Sequence, residues 1–271
     1  MWITLRCVRC VPYVGANRIR FTGASQSAHD HSRETPRATN TRSIRERKTV
    51  RLALVDAKAR AVLANEVFPF PIGQSPFRIK GSGYMLHMQY VDEHLPGGRA
   101  AMFNAIRTPE LRAFFEQTFF AGHFVDIYPL VCIGHLCADL QGTSFERFIR
   151  LRSRHQAEGD LKLFRKLILR IASPELLASR IPTLTANYFD FANAEIIEKK
   201  TGSVTATMHG VPKELAPWMS YVCEETVRFM LEYNGVKSLR LQTVHEREKE
   251  ARGQEIVGLR STIQWAMEAS T

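Results

Sequence analysis

The chain has 271 residues, of which 45% are apolar and 24% are charged, so it is long enough to bury a sizeable core. Residues 1–60 hold 13 Lys or Arg against 4 Asp or Glu, whereas residues 61–271 hold 24 against 23, so the net charge of +10 belongs to one end of the chain. The remainder is nearly neutral and has no electrostatic reason to bind nucleic acid, and no apolar run is long enough for a transmembrane helix.

Residues 1–65 have the composition of a tail, rich in arginine and poor in carboxylates. We interpret them as a basic arm, disordered or extended; a natural start further along the chain, a targeting segment and a nucleic-acid contact remain alternatives. Cys7 and Cys10 form a lone Cys-x-x-Cys without a second pair, which we interpret as chance spacing. Five cysteines without an even framework favour a reducing compartment, and we expect a cytoplasmic protein.

Prolines recur through residues 66–82, and each of them biases the preceding residue away from helix. We therefore predict a Pro-rich linker there, followed by a single domain over residues 83–271. Its first half is predicted to be helical, with the last helix introduced by Ser173-Pro174-Glu175. The other predicted helices are Gly83–His94, Arg99–Ile106, Thr108–Phe120, Pro129–Leu140, Ser144–Gln156 and Asp160–Ile171.

The second half alternates in the manner of strands. The predicted hairpins are Ala194–Lys199 with Ser203–Gly210, and a strand from Leu239 with Val257–Trp265. Between them, Glu214–Tyr233 has an apolar stripe at three- and four-residue spacing, typical of an amphipathic helix. The fold class is therefore α+β: an N-terminal helical half followed by ββαββ, with an antiparallel sheet and one long amphipathic helix.

Several short motifs recur at the spacing of a known family. They are Tyr90-Val-Asp-Glu-His, Thr108-Pro-Glu-Leu-Arg, Asp126-Ile-Tyr128-Pro129, Ser173-Pro174-Glu175, Tyr188-Phe-Asp190-Phe, Gly210-Val-Pro212, Gly235 and Thr262-Ile-Gln-Trp265. In this layout the chain resembles, over residues 85–265, an uncharacterised family of small proteins expanded in myxobacteria and related δ-proteobacteria. The resemblance implies a compact α+β domain with no established activity. The C-terminal part is also similar in layout to small-ligand sensor domains of the haem–nitric-oxide and vinyl-reductase kind.

Aromatic residues cluster where the sheet and the long helix should meet. They favour a core, and they are also the best candidates for a ligand pocket. The set comprises Tyr188, Phe189, Phe191, Trp218 and Tyr221.

Metal or haem ligands form a second candidate set. Cys132, His135 and Cys137 carry zinc donors, but residue 137 is rotated by about 200° from residue 135 on a helix, so they are interpreted as buried core residues. His123 follows a glycine in an apolar run that would suit an axial haem ligand, although a surface histidine is the simpler interpretation. No cofactor is therefore predicted.

A third candidate set is basic. Two consecutive predicted helices carry cationic outer faces, interpreted as solvated surface, with docking to an acidic protein or to nucleic acid as the alternative. The residues are Arg147, Arg150, Arg152, Arg154, Lys162, Arg165, Lys166 and Arg170.

No nucleophile elbow, phosphate loop or pair of carboxylates in an apolar context is present in the sequence. We therefore predict a non-enzymatic domain that binds a small ligand or a partner protein in a regulatory or sensory role. One alternative is a haem- or metal-dependent sensor or enzyme with a dispersed site. Another is nucleic-acid binding through residues 1–60. Partners remain open: a protein or a small apolar ligand, but no membrane.

Overall fold

The structure of the chain is a computed structural model that describes residues 66–168 and 174–266, with the backbone alone for 160–168. The predicted basic arm, with Cys7 and Cys10, lies outside the described residues. The helices are α1 (Gly81–His94), α2 (Gly98–Ala105), α3 (Pro109–Glu116), α4 (Tyr128–Leu140), α5 (Phe145–Ile168), α6 (Pro174–Ala178), α7 (Ile181–Tyr188) and α8 (Ala216–Tyr233). The strands are β1 (Arg78–Lys80), β2 (Phe124–Asp126), β3 (Asn193–Lys200), β4 (Ser203–Pro212), β5 (Leu239–Arg247) and β6 (Ile256–Trp265).

The sheet confirms the predicted α+β class. Four antiparallel strands lie in the order β3-β4-β6-β5, so the two predicted hairpins meet along β4 and β6. The strand β5 continues to Arg247, into a segment of charged and small residues, because its backbone pairs with β6 as far as Val257. The helix α8 packs on α5 and against β5.

Two of the predicted helix boundaries are wrong. The helix α5 runs without a break through Gly159, where two helices were predicted. A Cβ at Gly159 would lie 3.3 Å from Leu86 Cδ2, so this glycine allows α1 and α5 to approach closely and does not end the helix. The single helix predicted after Ser173 is two short ones, α6 and α7.

The segment predicted as a linker belongs to the folded domain. Phe77 and Ile79 are 1% and 2% exposed, and β1 pairs with β2 in a two-stranded antiparallel sheet. The buried Asp126 carboxylate accepts hydrogen bonds from the backbone N–H groups of Gly73 (3.0 Å) and Tyr128 (3.0 Å). It thereby joins residues 73–75 to the start of α4. None of the helices in the described part of the chain combines the length and apolar character needed to cross a membrane.

Candidate functional site

The long helix α8 lies over the sheet because its apolar residues recur on one side. Pro217 stands in its first turn, where the missing N–H has no partner within the helix. The helix ends at Tyr233. The side chain of the next residue, Asn234, donates to the carbonyl of Met230 at 2.8 Å, and Gly235 follows with φ of +86°.

Between α8 and the sheet lies a cavity of about 40 Å³, large enough for about three water molecules. It is lined mostly by apolar side chains from α7, α8 and the four strands. The lining residues are Ile181, Ala194, Ala206, Thr207, Met208, Ser220, Cys223, Glu224, Val227, Leu241, Thr243, Leu259, Ser261 and Ile263. We call this space the α8–sheet cavity.

Four residues that line the α8–sheet cavity carry hydroxyl groups. Three of these hydroxyls are hydrogen-bonded, whereas the buried Thr207 Oγ1 has no hydrogen-bond partner among the described residues. The Thr243 and Ser261 hydroxyl oxygens lie 2.9 Å apart across β5 and β6. The Ser220 hydroxyl lies 2.9 Å from His245 Nε2. Among the described residues no carboxylate is hydrogen-bonded to His245 Nδ1, so this pair lacks the third group that orients the base of a nucleophilic triad.

The groups around the α8–sheet cavity are mostly uncharged. Burial raises the pKa of the Cys223 thiol to about 12, so the thiol stays protonated near neutral pH. Burial also lowers the pKa of His245, which favours the neutral imidazole. Glu224 is the charged exception, and its carboxylate is held by Arg150 at 2.6 Å. Such a space favours a small uncharged ligand.

The five aromatic residues, which the sequence predicts to form a core or to line a ligand pocket, pack in the core. Phe189 and Trp218 are buried with ring centroids 6.5 Å apart, and Phe191 packs on Phe77 at 5.4 Å. Tyr188 and Tyr221 are partly buried against the same core. None of the five is among the residues that line the α8–sheet cavity.

The predicted metal and haem ligands do not converge on one point. Cys132 and His135 are buried on α4, where the His135 ring stacks on Phe145 with centroids 3.5 Å apart. Burial raises the pKa of Cys132 and takes that of Cys137 to about 12, so neither thiol is poised as a thiolate. His123 is exposed beside Phe120.

Two residues of the predicted basic surface, Arg150 and Arg154, form ion pairs with α8. Arg150 pairs with Glu146 (2.9 Å) and Glu224 (2.6 Å), and Arg154 pairs with Glu225 (3.2 Å). These ion pairs join α5 to α8, so the two arginines serve packing between helices. Arg147 is exposed, and Arg152 is buried with a hydrogen bond to the Gly83 carbonyl. The side chains of Lys162, Arg165, Lys166 and Arg170 lie outside the described residues.

Sequence reasoning missed the cavity residues, although a signal existed. Thr243 and Ser261 occupy positions on the predicted apolar face of their strands. Two hydroxyl residues on such a face are expected to pair or to meet a ligand. Their pairing across β5 and β6 depends on strand register, which becomes visible only in the structure.

Comparison with known proteins places the fold. No known protein family and no curated protein matches the chain. Solved structures do match it. An Fe(II) unliganded H-NOX protein from K. algicida aligns with a TM-score of 0.51 and 11% identity, over 71% of this chain and 99% of that one. A mutant of T. Tengcongensis H-NOX aligns with a TM-score of 0.50 and 10% identity, over 69% and 98%.

A further similar structure is an oxygen-binding H-NOX domain related to soluble guanylate cyclases, solved as its oxygen complex. It aligns with a TM-score of 0.50 and 9% identity, over 71% of this chain and 99% of that one. At these identities the likeness establishes the fold. It also overturns the prediction of a chain without a cofactor, because the similar structures are haem-binding H-NOX domains.

Haem does not fit the described residues as they stand. A macrocycle needs far more room than the 40 Å³ of the α8–sheet cavity, and no histidine is among its lining residues. Among the described residues the two most buried histidines are His87 and His135, which pack against Phe148 and Phe145 respectively. Haem uptake at the cavity would therefore require α8 and the sheet to move apart.

Proposed function

We propose that this chain is a sensory ligand-binding domain that uses the H-NOX fold and receives its ligand between α8 and the sheet. The observation that carries the proposal is the α8–sheet cavity, a mostly apolar space with one pair of hydrogen-bonded hydroxyls inside the most regular part of the domain. The structural likeness supports the same role, because an H-NOX domain of this fold was solved with oxygen bound.

The geometry suggests how occupancy would be reported. A ligand that separates Ser220 from His245 pushes on α8, and α8 is coupled to α5 through the ion pairs of Arg150 and Arg154. The signal would therefore pass from the cavity to the helical half of the domain. Binding of a partner protein, the other role expected from the sequence, stays a prediction.

The test uses two probes on the full chain. Titration with haemin, followed by its absorbance, tests whether the cofactor of the similar structures binds. Titration with xenon, followed by backbone NMR shifts, tests whether the cavity binds a small apolar ligand. We expect saturable xenon shifts at Cys223 and Ser261. If haem is the cofactor, haemin gives a one-to-one complex with a new absorption band.

The matched variants are Ala206→Leu, which fills the cavity, and Ser261→Ala, which enlarges it. We expect Ala206→Leu to abolish the response to each probe that binds and Ser261→Ala to keep it. Urea unfolding of both variants checks that they are folded, since overpacking costs about 1–3 kcal/mol. A wild-type chain that responds to neither probe, or an Ala206→Leu chain that responds as wild type does, would overturn the proposal.

A further inference from the structure

A group of metal-binding side chains lies far from the α8–sheet cavity, where the end of α1 meets the middle of α5. Glu93, His94 and His155 each offer one ligand atom, and these three atoms lie within 4.8 Å of one another. His155 Nε2 is 3.8 Å from Glu93 Oε2. The rings of His94 and His155 meet edge to face, with centroids 5.3 Å apart. We call this group the α1–α5 triad.

Neighbouring residues hold the α1–α5 triad in place. Tyr90, one turn before His94, stacks flat on its ring at 4.5 Å with an interplanar angle of 7°, and meets the His155 ring at 5.5 Å. The Gln89 side-chain amide donates to Glu93 Oε1 at 2.9 Å, which leaves Oε2 on the side of His155. The orientations of the carboxylate and of both rings are therefore set by other residues.

The local charges favour a cation. His94 is the last residue of α1, where the carbonyl groups at the helix end carry partial negative charge. Arg99 pairs with Asp92 at 2.7 Å and does not form an ion pair with the Glu93 carboxylate. The Glu93 side chain is 46% exposed and that of His155 is 18% exposed, so an ion can enter from solvent.

We infer that the α1–α5 triad is a binding site for a divalent transition metal ion, with Zn²⁺, Ni²⁺ or Cu²⁺ as the class of ligand. Two imidazoles and one carboxylate suit these ions, whereas Mg²⁺ and Ca²⁺ prefer oxygen ligands throughout. Metal–ligand bonds are about 2.0–2.2 Å long, so the side chains need small rotations to close on an ion. Three protein ligands leave a further position for water or an exchangeable ligand. The bound ion would join α1 to α5.

The test is a Zn²⁺ titration of the full chain against a chromophoric chelator, together with thermal unfolding. We expect one site, and an unfolding midpoint that rises with Zn²⁺. His94→Gln and His155→Gln are each expected to weaken binding about tenfold or more and to remove the rise in midpoint. Cu²⁺ electron paramagnetic resonance should show two nitrogen ligands in the wild type and one in either variant.

Two controls separate this site from other donors in the chain. His209→Gln removes a histidine that also lies between two carboxylates, and Cys7→Ser with Cys10→Ser removes the Cys-x-x-Cys. Both proteins should bind Zn²⁺ as the wild type does. Undiminished affinity in the His94 and His155 variants, or loss of the site in either control, would overturn the inference.

Discussion

The backbone conformation of Gly210 allows β4 to bend. It lies in the bulge between Met208 and Val211, with φ of +80°. A Cβ at this position would lie 2.6 Å from the Phe191 carbonyl oxygen, and the Gly210 N–H donates to Glu248 Oε2 at 3.2 Å. Both the left-handed conformation and the close approach require glycine.

We therefore expect Gly210→Ala to lower the free energy of unfolding by about 2–3 kcal/mol, measured by urea denaturation. Gly142→Ala is the matched control, because Gly142 also has a positive φ, +64°, but no atom would lie within 4 Å of its Cβ. Gly142→Ala should lower the free energy of unfolding by about 1 kcal/mol, which is the cost of the left-handed backbone conformation alone. Equal losses in the two variants would show that the contact with Phe191 contributes nothing.

His209 ties the end of β4 to the loop between β5 and β6. Its Nδ1 lies 2.6 Å from Glu248 Oε1, and its Nε2 lies 3.1 Å from Glu195 Oε1. The hydrogen bond with Glu248 is the main reason that the pKa of His209 is raised, and the one with Glu195 adds to it. The protonated histidine therefore stabilises the folded state.

The pH dependence follows from that direction. Because the pKa of His209 is raised in the folded state, its protonation stabilises that state fully at a pH below the ordinary histidine pKa of about 6.5. This stabilisation is lost as the pH rises through the folded-state pKa. We expect urea midpoints to fall over that interval, and Glu248→Gln to flatten the fall. NMR titration of the His209 ring should show a lower pKa in Glu248→Gln. An unchanged His209 titration would count against this assignment.

The sequence alone does not connect His209 with Glu248, and the reason is physical. Glu248 lies 39 residues further along the chain in a loop of almost wholly charged or small residues. Nothing in the composition of that loop selects one of its carboxylates over the others. The choice is made by the register of β4, β5 and β6 together, which no local pattern encodes.

At the scale of elements, periodicity identified the parts that bury one face. The strands β4 and β6 and the helix α8 were all predicted within a few residues of their ends. The strands β1 and β2 have three residues each, too few for a period to appear. Their pairing depends on Asp126 and on the packing of Phe77, which are contacts over long sequence distances.

The junction between α5 and α8 depends on charge as well as on apolar packing. Arg150 donates to Glu224 at 2.6 Å, with their side chains 26% and 15% exposed. Arg150 also lies over the Tyr221 ring, 5.2 Å from its centroid. Partial burial makes this pair stronger than a fully exposed ion pair.

We expect a double-mutant cycle of Arg150→Ala and Glu224→Ala to give a coupling free energy of about 1 kcal/mol, measured by urea unfolding. The effect should shrink in high salt, because part of it is screened. The control pair is Arg99 and Asp92, whose side chains are 49% and 44% exposed at a similar distance, 2.7 Å. Coupling in the control as large as that between Arg150 and Glu224 would contradict the role given to burial.

At the scale of the whole molecule, the sequence could not show where the domain begins. Prolines between residues 66 and 82 have the composition of a linker, and that interpretation was reasonable from local preferences alone. In the structure the same segment contains turns, and Phe68, Phe70 and Ile72 pack against the core. Arg78 N–H donates to Asp190 Oδ1 at 2.9 Å, so the segment also reaches the chain just before β3.

Phe77 gives the clearest test that residues 66–82 are part of the domain. Its ring is 1% exposed and packs between Phe70 (6.1 Å), Tyr128 of α4 (6.4 Å) and Phe191 (5.4 Å), so it joins the helical half to the sheet half. Truncating such a ring removes buried area and leaves a cavity where both halves meet. A linker residue would have no such effect.

Phe77→Ala should therefore lower the free energy of unfolding by about 3–5 kcal/mol in urea denaturation. The control is Val67→Ala in the same segment. Val67 is 56% exposed, so this substitution should change the free energy of unfolding by no more than about 0.5 kcal/mol. Because the ring contacts both halves, fluorescence of Trp218 on α8 and far-ultraviolet circular dichroism should report the same shifted midpoint. Two separate midpoints, or a loss no larger than that of Val67→Ala, would mean that the segment is peripheral to the core.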